Sequence, residues 1–136
     1  MCQASPNEQD SPMISSVSPF LIVGDLQRSI DFYAEQLGFS VAFQTPEKSP
    51  FFAIVVRGGA SVHLKCVGVE SCPNRSRHPD ARWDAFFSTA DPDALFEELS
   101  GREVEFHESL RDTDDGLRGF EVEDPDSHVL FFGRPQ

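Results

Sequence analysis

One order of elements is written twice along this chain, and the repetition narrows the folds open to it. Val17 to Val23 is apolar and partly β-branched, with Pro19 near its start, where a strand tolerates it. Asp25 then stands in helix N-cap position. Leu26, Ile30, Tyr33 and Leu37 follow as one apolar helical stripe, and Gly38 is the expected left-handed stop. Strand-like runs come next at Phe39 to Gln44, Phe51 to Arg57 and Ala60 to Val67, with Gly58-Gly59 turning the last two into a hairpin. Ser71 to Arg82 contains two prolines and no periodicity. After it the order returns, with a strand at Ala85 to Thr89 and Asp91 capping a helix that has Pro92 at its first position. Leu95, Phe96 and Leu99 supply that helix's buried face and Gly101 its stop; strands follow at Val104 to Glu108, Gly119 to Glu123 and Val129 to Gly133.

The predicted fold is therefore α+β, with two paired β-α-β-β-β modules forming a cupped mixed sheet and helices on the outside. Residues 1–13 read as a disordered tail and 14–136 as a single domain. Within it, module one spans about 14–70, the linker 71–82 and module two about 83–135. Neither half covers its sheet alone, so the halves should pair within one chain or between two.

Charge limits the partners. Eleven Lys and Arg against 23 Asp and Glu give a net charge of −12, a field that repels phosphate backbones and anionic lipid surfaces. Neither nucleic acid nor membrane is an expected partner, and no apolar run is long enough to span a bilayer. Met1 to Ser11 lacks the basic and apolar regions of a signal peptide, and Cys2, Cys66 and Cys72 make an odd, sparse set. The expected location is cytoplasmic. Thirteen Phe against one Trp and one Tyr is more phenyl surface than an ordinary core needs, which suggests that some of it lines a pocket.

The run Phe20-Leu-Ile-Val-Gly-Asp-Leu-Gln-Arg-Ser-Ile-Asp-Phe-Tyr-Ala-Glu-Gln-Leu-Gly-Phe39, with Asp124-Pro-Asp-Ser-His-Val-Leu-Phe-Phe132 and the duplicated unit, resembles the vicinal oxygen chelate superfamily. That superfamily includes glyoxalases, extradiol dioxygenases and fosfomycin- and bleomycin-resistance proteins. The resemblance implies that each sheet curls into a half-barrel with a ligand or metal site on its concave face. It also implies a homodimer. The positions that carry metal ligands in the family's metalloenzymes fall on Ser18, His63, Asp84 and Phe131. A phenyl ring donates no lone pair to a cation, so the resemblance points to the metal-free, bleomycin-resistance-like members, with no metal and no cofactor.

Period-two alternation assigns the faces. Val62, Leu64 and Cys66 share the helix-facing side of their strand, leaving Ser61, His63 and Lys65 toward the cavity. Leu21 and Val23 pack outward, leaving Ser18, Phe20 and Ile22 inside. Asp84, Phe86 and Ser88 alternate with Ala85 and Phe87, and Phe131 is placed on the concave side of the last strand. The expected function is binding of an apolar or planar small molecule in an aromatic-lined concave cavity. Its lining would be Ser18, Phe20, His63, Lys65, Asp84, Phe86, Ser88 and Phe131, with Phe51 or Phe52 joining. The alternative is a metal-dependent lyase or dioxygenase with an atypical site at His63 and Asp84. A third reading is an interaction module without a ligand. His128 reads as a turn stabiliser, His78 and His107 receive no role, and the basic cluster Arg75, Arg77, His78 and Arg82 reads as solvated linker.

Overall fold

The computed structural model describes residues 12–136; Cys2 and most of the expected tail lie outside them. Two mixed four-stranded sheets follow the duplicated plan. In the first, β1 (Phe20–Ile22), β2 (Ser40–Thr45), β3 (Phe52–Arg57) and β4 (Ala60–Lys65) lie in the order β1-β4-β3-β2, with only β1 and β4 parallel. In the second, β5 (Ala85–Ser88), β6 (Phe106–Asp112), β7 (Leu117–Glu123) and β8 (Val129–Pro135) lie in the order β5-β8-β7-β6, with β5 and β8 parallel. Each parallel pair needs a crossover, and each module supplies its helix there.

Helix α1 (Leu26–Asp31) begins at Asp25, whose carboxylate accepts the Arg28 N–H at 3.1 Å. It runs on into a widened turn, Phe32–Gln36, in which the Leu37 N–H reaches back five residues to the Phe32 carbonyl. The stripe anticipated from spacing is buried throughout: Leu26, Ile30, Tyr33 and Leu37 are each at most 5% exposed. Gly38 takes the left-handed conformation (φ 73°), and a Cβ there would meet the Arg57 guanidinium at 2.7 Å. Helix α3 (Pro92–Gly101) is capped by Asp91, which accepts the Ala94 N–H at 3.0 Å. Its left-handed residue is Glu103 (φ 65°) rather than the expected Gly101, which stays helical. The linker also departs from expectation, because Asn74–Arg77 forms a one-turn helix, α2.

Alternation holds on both sheets. Leu21, Val23, Val62 and Leu64 are buried on the helix side of the first sheet, and Phe120, Val122, Leu130 and Phe132 are buried in the second. These residues join the helix stripes in one continuous core. The modules are tied further by polar contacts. Tyr33 Oη donates to Asp124 Oδ2 at 3.0 Å, the Gly24 N–H to Asp126 Oδ1 at 2.8 Å, and Arg57 grips Glu98 through two bonds of 2.7 and 2.9 Å. Tucked against module one's helix, the turn at 124–128 is also held by His128, whose Nδ1 lies 2.9 Å from Asp124 Oδ2. That is the turn-stabilising role expected of His128.

Candidate functional site

The faces turned away from the core carry the expected residues, but as two groups. On the first sheet, Phe20 pairs in register with His63, and His63 with Ile54; Ile22 and Phe52 both pair with Lys65. These residues therefore share a face. Phe52 rather than Phe51 belongs to it, with ring centroids 6.1 Å from Phe20, 5.6 Å from His63 and 6.2 Å from Phe43. Phe20 is 57% exposed and Phe43 50%. An aromatic cluster this open on the outer face of a sheet is a surface awaiting cover.

On the second sheet, Phe86 is exposed but Phe131 is not. Its ring lies over the paired glycines Gly119 and Gly133, where an added Cβ would come within 2.6 Å of it. From the other side Trp83 stacks on it with centroids 4.3 Å apart and planes within 22°. Phe131 is thus 1% exposed, the floor beneath an aromatic platform of Trp83 and Phe86 and not itself a lining residue. Trp83 meets Phe86 edge-on at 5.7 Å, and its Nε1 donates to Glu121 Oε2 at 2.9 Å. The Arg82 guanidinium covers the indole at 4.8 Å. Among the described residues no ring pair joins Phe20's cluster to that of Phe86 and Phe131.

Asp84 is committed to the backbone. Its Oδ2 accepts the Val129 N–H and its Oδ1 the Asn74 N–H, both at 2.9 Å. It clamps α2 to the start of β8 and does not serve as a free polar anchor. Ser18, Phe86 and Ser88 line a cleft of about 740 Å³ between the modules, together with Phe39, Phe87 and Phe132. The one charged side chain in this cleft, Arg57, is held by Glu98. Phe20, His63, Lys65, Asp84 and Phe131 lie outside it.

Residues that sequence reasoning passed over complete the second face. Arg75 binds Glu123 at 2.9 Å and touches His107 Nε2 at 3.3 Å, so the supposedly solvated basic cluster is partly built into the site. Glu121 could have been found from the alternation Gly119-Phe-Glu-Val-Glu123, which buries Phe120 and Val122 and turns Glu121 outward.

The family model for the Glyoxalase/Bleomycin resistance protein/Dioxygenase superfamily matches residues 14–132, and the chain belongs to that superfamily. TioX from Micromonospora sp. ML1 superposes with a TM-score of 0.69 at 21% identity, over 89% of this chain and 98% of that one. The bleomycin-binding protein of Streptomyces verticillus, in a structure with copper(II)-bleomycin, gives 0.66 at 24% identity over 89% and 96%. TnmS3, an antibiotic binding protein from Streptomyces sp. CB03234, gives 0.62 at 24% over 92% and 100%. These likenesses show the shared fold. No curated protein matches the chain.

A divalent metal of the kind the superfamily's enzymes use does not fit these residues. Phe131 carries no donor atom and is sealed under Trp83, and both Asp84 oxygens are engaged by backbone N–H groups. Among the described residues no three His, Cys, Asp or Glu side chains are grouped to hold a metal ion. No helix among them is long and apolar enough to cross a membrane.

Proposed function

We propose that this chain is a small-molecule-binding protein that holds an apolar, planar ligand against the aromatic side chains of its outward sheet faces, and that two copies complete the site. The observation that carries this reading is the pair of exposed ring clusters, Phe20 with Phe43 and Phe52 on one sheet and Phe86 with Trp83 on the other. Rings in such positions stack on a planar guest with about 0.5–1.5 kcal/mol per pair beyond area burial. Bleomycin binding by the Streptomyces verticillus protein and antibiotic binding by TnmS3 support the ligand class. The dimer is favoured by open edges: β1 and β5 each have one neighbouring strand, and the exposed face of the first sheet offers a second copy apolar surface to bury.

Trp83, the chain's single tryptophan, lies on the proposed platform and reports on it. A planar aromatic ligand is expected to change its emission saturably and to raise the melting temperature. Phe86→Ala should weaken that binding about tenfold while costing less than about 1 kcal/mol of stability. A library of planar aromatic compounds that produces neither emission change nor melting shift overturns the reading. Sedimentation velocity at micromolar concentration should show a dimer; a purely monomeric species removes the second copy from it.

A further inference from the structure

Glu121 occupies the middle of β7, opposite Phe131, with its side chain 7% exposed. A carboxylate that deep is strongly disfavoured unless charge or hydrogen bonds compensate it. Only half of it is compensated. Oε2 accepts the Trp83 indole N–H, whereas Oε1 has His107 Nε2 at 3.7 Å, too far for a hydrogen bond. Arg75, which lines a recess with Glu121, spends its guanidinium on Glu123 and His107. Among the described residues no fully buried side-chain oxygen lacks a hydrogen-bond partner. Oε1 therefore opens toward the recess of about 280 Å³ that Glu121 lines with Arg75, Arg82, His107, Glu108 and Arg111.

We infer that this recess is the polar end of the ligand site, and that the ligand's planar ring carries a neutral O–H or N–H group that donates to Glu121 Oε1. The inference rests on the proposed binding of a planar molecule at Trp83 and Phe86, and adds which substituent it bears. The recess holds both signs, Glu121 and Glu108 beside Arg75, Arg82 and Arg111. Each arginine already has a carboxylate partner, in Glu123, Asp115 and Glu108 respectively, so a neutral donor meets Glu121 without opposing either set. Arg82 is the group a ring would displace. It is 48% exposed, its carboxylate partner Asp115 is 3.7 Å away, and it lies over the indole where the ring would stack.

Ligand-observed NMR titrations with 2-naphthol, 2-methoxynaphthalene and 2-naphthoate test this on the full chain. 2-Naphthol should bind about tenfold more tightly than its methyl ether, the scale of a hydrogen bond to a charged acceptor, and naphthoate should bind more weakly than either. In Glu121→Gln the amide oxygen faces the indole N–H and the NH₂ faces the recess, so the preference for the naphthol should vanish. Equal binding of naphthol and ether to the wild type overturns the inference while leaving the platform standing. So does naphthoate binding as tightly as naphthol, or an unchanged preference in Glu121→Gln. Binding of none of the three overturns platform and inference together. Should Glu121→Gln fail to fold, the wild-type series decides alone.

Discussion

Phe131 is where one side chain has most altered the site. The ring fills a slot between two paired glycines and an indole, and every neighbour leaves room for it. Phe131→Ala should therefore behave as a core truncation, costing about 3–5 kcal/mol in urea denaturation. A loss under about 1 kcal/mol would mean the slot is open to solvent. The sequence placed this residue on the correct face, because alternation fixes the side of a strand on which a residue stands. Depth escaped it, because depth is set by Trp83, which precedes β5 and has no period to read. Asp84 was misjudged for a related reason: its acceptors' partners are backbone N–H groups of Asn74 and Val129, and the first belongs to a stretch with no legible structure.

At the level of elements, helices were the most legible part, because a cap, a stripe and a stop are local signals. Their ends show where local signals fail. The first helix keeps its stripe buried by widening its last turn, and α3 ends at Gly101 but takes its left-handed residue two positions later, at Glu103. A left-handed glutamate costs about 1–2 kcal/mol relative to a residue without a Cβ, partly offset by the greater freedom glycine loses on folding. Glu103 is exposed, so little packing is lost with it. Glu103→Gly is expected to raise the melting temperature by a few degrees in differential scanning calorimetry; an unchanged or lowered value would show that the side chain contributes to the stop. Strand limits moved as well: β6 runs past the expected Glu108 through Ser109–Asp112, and β7 begins at Leu117 instead of Gly119, the two closing in a turn at residues 113–116. Hydrogen bonds to a neighbouring strand held those polar residues extended, a tertiary effect that composition does not reveal.

For the whole molecule, the joint between the modules is the decisive structure. Burial alone would push His128 down, but the hydrogen bond and charge of Asp124, with Asp84 and Asp126 adding to them, hold its pKa above the ordinary 6.5. Tyr33, on the facing helix, stays neutral because burial and then Asp124 push its phenol well above the usual range. A raised histidine stabilises the fold fully below about 6.5, and that contribution fades as pH rises through the folded value. Chemical denaturation should accordingly show stability falling as pH climbs above about 6.5. His128→Asn should flatten that slope; an unaltered slope would assign it to another group.

The same joint has a consequence for how the chain is made. The hydrogen bonds that seat the first helix, Tyr33 to Asp124 and Gly24 to Asp126, close over 91 and 102 residues. During synthesis the first module emerges with its helix's polar partners still untranslated. Until Asp124 and Asp126 have been made, the Tyr33 hydroxyl and the Gly24 N–H have only water to bond. Truncation just ahead of Asp124 should therefore loosen the first module as well as the second, seen as faster amide exchange in the first helix, although the missing residues belong to the other half of the repeat.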